Sequence, residues 1–256
     1  MRIPLTRYGW PQVVVFPAAL LVAMIVLALG TIAMLPVWVV ISIETALAAV
    51  LVWVLMFFRD PERLCPSEPN LLLAPADGRV TDIETVDEDG FIGGPALRIG
   101  IFLSIFNVHL NRAPCNARVE TITYKKGKYI NAMNPRSGRI NESNNLGLVR
   151  TDSPADTLIV RQISGAIARR IVCATTEGRE LAGGEKFGMI KFGSRTELYV
   201  PVSSNLGKDE PRATYDTRHA TYEIKCLVQI GDKVKAGLTA LVKYEIREVR
   251  DVETED

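Results

Sequence analysis

Histidine is nearly absent from this chain. There are two, His109 and His219, so any imidazole chemistry has to use one of them. Cysteine is scarce as well: Cys65, Cys115, Cys173 and Cys226 lie far apart and form no C-x-x-C pair. That spacing argues against a zinc site or a dithiol redox motif, no metal is expected, and reduced, buried thiols are the expected state. Neither sign of charge prevails, with 30 Lys and Arg against 29 Asp and Glu. A global attraction to nucleic acid is therefore excluded as an organising feature. Helical periodicity is rare beyond residue 60, where only part of the stretch from Pro154 to Arg170 suggests a helix. Charge itself is missing from one long region, since Glu44 is the only charged residue from Pro11 to Phe58.

That region is what the chain has instead. It is long enough for two spans of about 20 residues each. Pro36 cannot donate a helical hydrogen bond and Gly30 weakens its turn, so the break falls between them. The expectation is one helix near residues 12–34 and a second near 37–58. The apolar run is too long for a cleaved signal peptide, and no small-residue cleavage site follows it. Arg2 and Arg7 precede the pair and Arg59 and Arg63 follow it, which puts both ends on the cytoplasmic side. Glu44, in mid-helix, is a candidate for function or for contact with the partner helix. Residues 1–60 are read as a membrane-anchoring helical hairpin and 61–256 as one further domain, large enough for a sizeable core at 48% hydrophobic content overall.

The second domain reads as mainly β. Leu71-Leu72-Leu73 is an apolar strand, Asp77-Gly78 a hairpin turn, and Val80, Ile83 and Val86 a second strand. The unbroken run Leu97 to Leu103 is a buried strand, and His109 stands where it gives way to a polar loop. Lys125, Lys126, Lys128, Arg136 and Arg139 form a run with no acid among them, suited either to a solvated loop or to anionic headgroups. Asn131 to Leu146 has the Asn-, Ser- and Gly-rich composition of a long irregular loop. Ile171, Cys173, Gly178, Leu181 and Gly184 recur 53 residues later as Ile224, Cys226, Gly231, Val234 and Gly237. This repeat is similar to the half-barrels of lipoyl and biotinyl domains, which interlock into a flattened β-sandwich. Their carrier lysine is missing, which excludes a swinging arm. The polar insert Ser203 to Thr221, with His219 inside it, reads as a mobile surface loop and His219 as structural or exposed.

Between the two copies lies Phe187-Gly188-Met189-Ile190, then Lys191-Phe192-Gly193-Ser194-Arg195, then Leu198-Tyr199-Val200. Gly193-Ser194 is the only Gly-Ser dipeptide in the chain. Alone it is a turn or bulge between strands, as Asp77 alone is turn chemistry and His109 alone a satisfied strand-end residue. A serine beside glycine also has a chemical use, because its hydroxyl can attack the preceding carbonyl where that peptide is strained.

Three motifs change the weight of these residues: P-A-D-G-R-V at 75–80, F-N-V-H-L-N-R at 106–112 and F-G-S-R-T-E-L-Y-V-P at 192–201. In this order and spacing, with the hairpin and the Asn131-Ala132-Met133 and Asn141-Glu142 segments, the chain resembles the phosphatidylserine decarboxylase family in its short, two-helix membrane form. The resemblance implies a proenzyme that cleaves itself between Gly193 and Ser194 into 1–193 and 194–256, converting Ser194 into a covalent pyruvoyl cofactor. Catalysis would fall to Asp77, His109 and Ser194. The substrate amine of phosphatidylserine would form a Schiff base with the pyruvoyl ketone and lose carbon dioxide, giving phosphatidylethanolamine. Arg112, Asn141 and Glu142 are the candidates for binding substrate. The implied partners are phosphatidylserine, membrane lipids and the protein's own second fragment, a dimer of such heterodimers remaining open, at the cytoplasmic face of an inner membrane. Two features depart from the pattern. Arg195 stands where long members carry a small hydroxyl residue, and the 203–221 insert is longer than expected. Two rival readings stay open, a non-enzymatic membrane-anchored adaptor with a lipoyl-like sandwich and a pyruvoyl decarboxylase of another aminolipid.

Overall fold

A computed structural model describes residues 4–31, 35–134, 136–166, 170–191, 193–202 and 221–247. His219 and all of the insert except Thr221 lie outside the described residues.

Two apolar helices open the chain, α1 (Gln12–Thr31) and α2 (Val37–Phe57). They pack on each other and present apolar side chains outward all round, among them Val22, Ile25, Leu29, Trp38 and Val52. Each is long and apolar enough to cross a membrane. The hydroxyls of Ser42 and Thr45 donate back to the Trp38 and Ile41 carbonyls at 2.8 and 2.7 Å, so neither needs water. Glu44 falls in mid-helix, half-buried.

Everything after the hairpin is built from strands: β1 (Leu71–Leu73), β2 (Gly78–Glu88), β3 (Gly94–Leu103), β4 (Leu110–Arg112), β5 (Ala117–Lys125), β6 (Ser143–Arg150), β7 (Thr157–Ile163), β8 (Arg170–Cys173), β9 (Glu180–Leu181), β10 (Lys186–Lys191), β11 (Ser194–Pro201), β12 (Thr221–Cys226), β13 (Lys233–Val234) and β14 (Ala240–Arg247). One short helix, α3 (Ser137–Ile140), interrupts them. A curled eight-stranded sheet runs β13-β2-β3-β11-β7-β6-β5-β9, and two three-stranded sheets, β1-β14-β12 and β4-β10-β8, complete the domain. The core lies between them, where Leu72, Ile99, Ile101, Leu146, Leu158, Phe187, Leu198 and Leu241 are at most 0% exposed. Each such side chain removed from water stabilises the fold by about 1.5–3 kcal/mol.

The 53-residue repeat supplies two strands of each small sheet and one edge strand at each end of the large one. β8, β9 and β10 in one copy match β12, β13 and β14 in the other. A second repeat accompanies it. Ala74-Pro75-Ala76-Asp77-Gly78-Arg79-Val80 between β1 and β2 matches Ala113-Pro114-Cys115-Asn116-Ala117-Arg118-Val119 between β4 and β5. The backbone bonds agree pair by pair. Leu73 N donates to Pro114 O at 2.8 Å and Arg112 N to Pro75 O at 3.0 Å. Gly237 N donates to Ala74 O at 2.9 Å, and Gly184 N to Ala113 O at 2.8 Å. The domain is thus two similar halves related by a pseudo-two-fold axis, with Gly184 and Gly237 in contact where the halves meet. Both glycines have positive φ, 78° and 71°, and a Cβ on Gly184 would lie 2.2 Å from the Cys65 sulfur.

Three local expectations are corrected. Asp77-Gly78 closes no hairpin, because β1 pairs with β14 and β2 with β3 and β13; the turn carries the chain from one sheet to another. Among the described residues, Pro154 to Arg170 holds strand β7 and no helix, since Leu158, Ile159 and Val160 are all buried in a sheet covered on both faces. Asn131 to Leu146 is not one loop: α3 occupies part of it and β6 starts at Ser143. Asn144 and Asn145 are tolerated in that strand because they bond across to Gln162 and Arg161 on β7, at 3.1 and 2.7 Å.

Candidate functional site

β10 and β11 follow one another in sequence but belong to different sheets, and the change is made at Gly193. Its φ of 63° is left-handed, the region glycine enters without steric cost. Its carbonyl is packed against Gly165, where a Cβ would sit 2.1 Å from the oxygen. Position 165 therefore has to be glycine for this carbonyl to lie where it does. Ser194 then opens β11 opposite Leu103, fully buried, and its Oγ has no hydrogen-bond partner.

His109 stands just before β4, which pairs with β10. Its carbonyl accepts from Ile190 N at 3.2 Å. Its ring is fully buried, with Nδ1 3.0 Å from the Asn107 carbonyl. A carbonyl only accepts, so Nδ1 carries the proton and Nε2 keeps its lone pair. Nε2 is buried and has no partner. Ser194 Oγ is thus a buried donor and His109 Nε2 a buried acceptor, each without a partner. Burial pushes the imidazole down to about 4; the Asn107 bond and the Asp77 charge favour the protonated ring, and Arg59 disfavours it. The ring is neutral at neutral pH.

Asp77 is near enough to act on His109 through charge, but its hydrogen bonds go elsewhere. Arg63 holds both carboxylate oxygens, at 2.6 and 2.8 Å, and Ala236 N donates to Oδ1 at 2.8 Å. The Asn107 carbonyl, rather than Asp77, orients the imidazole.

The other site expectations fall around these three. Arg112 is buried and donates to the carbonyls of Gly184 and Pro61, at 2.8 and 3.2 Å. Asn141 is fully buried and bonds Ile130 on both sides of its amide and the Ser164 carbonyl at 2.7 Å. Glu142 accepts from the Tyr129 hydroxyl, and its carbonyl takes Ser164 N at 2.9 Å. Asn141 and Glu142 therefore brace Ser164, next to the glycine that receives the Gly193 carbonyl. The basic run is exposed at Lys125, Lys126, Lys128, Arg136 and Arg139.

Two groups escaped the sequence reading. The outward side of β11 carries a buried ionic ladder. Arg195 bonds Asp82 at 2.6 Å and Glu197 at 2.8 Å, and Tyr199 donates to Glu197 at 2.7 Å. Burial alone would raise the Asp82 carboxyl, but the Arg195 guanidinium holds it below its ordinary value. This ladder fixes the register of the strand that Ser194 begins, and it gives Arg195 a purpose. Lys191 is the second group, buried beside the bend with Nζ 2.8 Å from Gln12 Oε1 at the start of α1. An arginine or lysine at alternate positions of an apolar strand was the available signal for both.

Comparison with known proteins identifies the family. The family model described as phosphatidylserine decarboxylase matches residues 50–242. A phosphatidylserine decarboxylase proenzyme of Cupriavidus pinatubonensis is 36% identical over 242 residues, 94% of this chain and 95% of that one. The proenzyme of Symbiobacterium thermophilum is 39% identical over 242 residues, covering 94% and 96%. That of Desulfotalea psychrophila is 40% identical over 187 residues, covering 73% and 77%. The aligned stretch takes in both turns, His109 and the Gly193 bend, and the chain belongs to the phosphatidylserine decarboxylase family.

Proposed function

We propose that this protein is a self-processing, pyruvoyl-dependent phosphatidylserine decarboxylase held at the membrane by its helical hairpin. Family membership supports the decarboxylation of phosphatidylserine. The observation that carries the self-processing is the bend itself: a left-handed glycine, its carbonyl seated on Gly165, and a buried serine hydroxyl with nothing to bond.

The chain's own residues divide the work as follows. His109 Nε2 takes the Ser194 proton as Oγ attacks the Gly193 carbonyl carbon, since a hydroxyl is a weak nucleophile without a base. The amide bond between Gly193 and Ser194 is exchanged for an ester, and the proton passes to the Ser194 nitrogen. Loss of the Ser194 α-proton expels Gly193 as a carboxylate and leaves dehydroalanine at 194. Water then replaces its nitrogen, which departs as ammonia. The fit to a pyruvoyl group at position 194 is favourable, because the residue is enclosed at the head of a strand pinned by the Arg195 ladder. Once formed, that group supplies a ketone for the substrate amine and an electron sink for the carbanion left by carbon dioxide. Asp77 favours the imidazolium through its charge, and His109 is placed to return a proton to the substrate. Arg112, Asn141 and Glu142 act on the substrate's surroundings through the backbone segments they brace. The two fragments, 1–193 and 194–256, stay together as a heterodimer, with the domain on the cytoplasmic side of an inner membrane and the exposed basic run toward anionic headgroups.

Intact mass of the purified protein tests this. Two species ending at Gly193 and starting at a blocked residue 194 are expected, and one uncleaved chain after Ser194→Ala. A single full-length species from folded wild-type protein would refute self-processing. Carbon dioxide release from phosphatidylserine, set against other aminolipids, decides the substrate.

A further inference from the structure

The segment Phe57-Phe58-Arg59-Asp60-Pro61-Glu62-Arg63 leaves the membrane helix and has no assigned part in the chemistry. The sequence reads it as the end of a helix and the start of a linker. In the structure it touches two of the three candidate catalytic side chains, His109 and Asp77. The Phe57 ring, 1% exposed in the last position of α2, lies against the His109 imidazole with centroids 4.3 Å apart. Phe58 packs edge-on to Phe57 at 5.1 Å and fills the space left by the missing side chain of Gly9. Arg59 donates to the carbonyls of Met56 and Phe106, at 2.7 and 2.8 Å, tying the helix end to the loop before His109. Asp60 pairs with Lys186 on β10 at 2.8 Å. Pro61 offers its carbonyl to Arg112. Arg63 grips Asp77 with both terminal nitrogens and donates to the Ala236 carbonyl at 2.7 Å.

These contacts exceed what a tether needs. A flexible linker carries a load through covalent bonds alone and has no use for buried, directional partners. Fork-to-carboxylate pairing by arginine fixes orientation as well as charge. Arg63 and Asp77 are also enclosed, with side chains 7% and 9% exposed, so the pair is not a solvated surface bridge.

Resting on the self-processing reading, we propose that Phe57 and Arg63 are positioning residues of the site. Phe57 walls the His109 ring and Arg63 holds the Asp77 carboxylate, so that the end of the membrane helix is a structural part of the machinery that cleaves the Gly193–Ser194 bond. The charged groups acting on His109 are Asp77 on the turn between β1 and β2 and Arg59 after α2. Releasing Asp77 from Arg63 leaves its charge free to favour the imidazolium.

The test is the rate of self-cleavage of the full-length protein in detergent micelles across pH 4 to 8, with thermal unfolding alongside. Wild type and Ser194→Ala run in parallel. For Arg63→Gln the expected result is cleavage slowed by on the order of 10- to 100-fold, with the acid limb of the profile moved to higher pH; Arg63→Lys should recover part of the rate. Phe57→Leu keeps an apolar side chain but loses the ring face, and should slow cleavage several-fold with a shift in the same direction. Folded Arg63→Gln and Phe57→Leu proteins that mature at the wild-type rate with the wild-type profile would overturn the proposal. If Arg63→Gln fails to fold, Phe57→Leu decides alone. Failure of wild type itself to cleave would instead remove the self-processing reading on which the proposal stands.

Discussion

The two turns of the pseudo-symmetric domain use one backbone plan and end up with different duties. Ala236 N donates to Asp77 Oδ1 at 2.8 Å in one, and Gly183 N donates to Asn116 Oδ1 at 2.8 Å in the other. Either side chain caps its turn equally well. The cap needs an acceptor, and an amide oxygen is enough. A carboxylate at 77 is therefore surplus to the turn, and it comes with Arg63 and a charge that reaches His109. The same contrast separates the residues before β1 and β4. Tyr244 N donates to the Asn70 carbonyl at 2.8 Å, as Ile190 N does to that of His109 at 3.2 Å. Asn70 is a partly exposed turn residue, whereas His109 is sealed in with an unmatched nitrogen. Each half thus offers two equivalent positions, and the proposed site takes one from each, Asp77 and His109. Comparing the halves separates what the fold demands from what the chemistry adds.

The sharpest way to break this contrast is to give the first turn the second turn's residue. Asp77→Asn keeps the cap, as Asn116 shows, but removes the charge. Self-cleavage followed on denaturing gels should fall by on the order of 10²- to 10⁴-fold, the range lost with a general base and its support. Because Arg63 is left buried without its ion pair, the melting temperature should fall as well. Wild-type cleavage in this variant would mean that Asp77 is only a cap.

Acid stability probes the other active position. His109 is buried neutral, with its titration lowered to about 4 from an ordinary 6.5. Between these values the unfolded chain binds a proton that the folded chain does not, so stability rises with pH through that window and is flat above it. The difference amounts to about 3 kcal/mol. Urea unfolding at pH 7 and pH 4.5 should show this loss in wild type and a smaller one in His109→Gln. An equal loss in both would place the acid sensitivity elsewhere.

The smallest effect is expected from the reverse exchange. Asn116→Asp preserves the acceptor to Gly183 but sets a second carboxylate beside Asp152, which now receives the Asn116 amide at 3.0 Å. Exposed like charges of this kind cost about 0.5 kcal/mol. Cleavage should not change, and a clear change would mean that the second turn also serves the site.

Legibility of the sequence followed the same division. The apolar hairpin, the β character and the 53-residue repeat were readable because each leaves a long or periodic trace. The second repeat is short, and its three middle positions differ between the copies, so the sequence alone does not mark Asp77 and Asn116 as counterparts. Asp77-Gly78 reads as a hairpin in the sequence because local turn chemistry does not specify which sheet receives the next strand. Gly165 could not be found by any pattern, since its reason is the carbonyl of a residue remote in sequence. Ser194, His109 and Asp77 were named through three motifs in order, while the side chains that hold two of them, Phe57 and Arg63, looked like the end of a membrane helix.

Strand β11 has one further consequence. It lies between β3 and β7, and β14 lies between β1 and β12, so strands on both sides of the cleavage point are interleaved in two sheets. Neither the eight-stranded sheet nor β1-β14-β12 is complete in either piece alone. A bond cut before those strands were in place would leave two chains searching for each other by diffusion. Ser194 is enclosed only after β3 and β7 have received it, so the proposed self-cleavage would be timed by the completion of the fold. In that sense the cut works as a receipt for assembly: a molecule that carries the active group is one that has already folded.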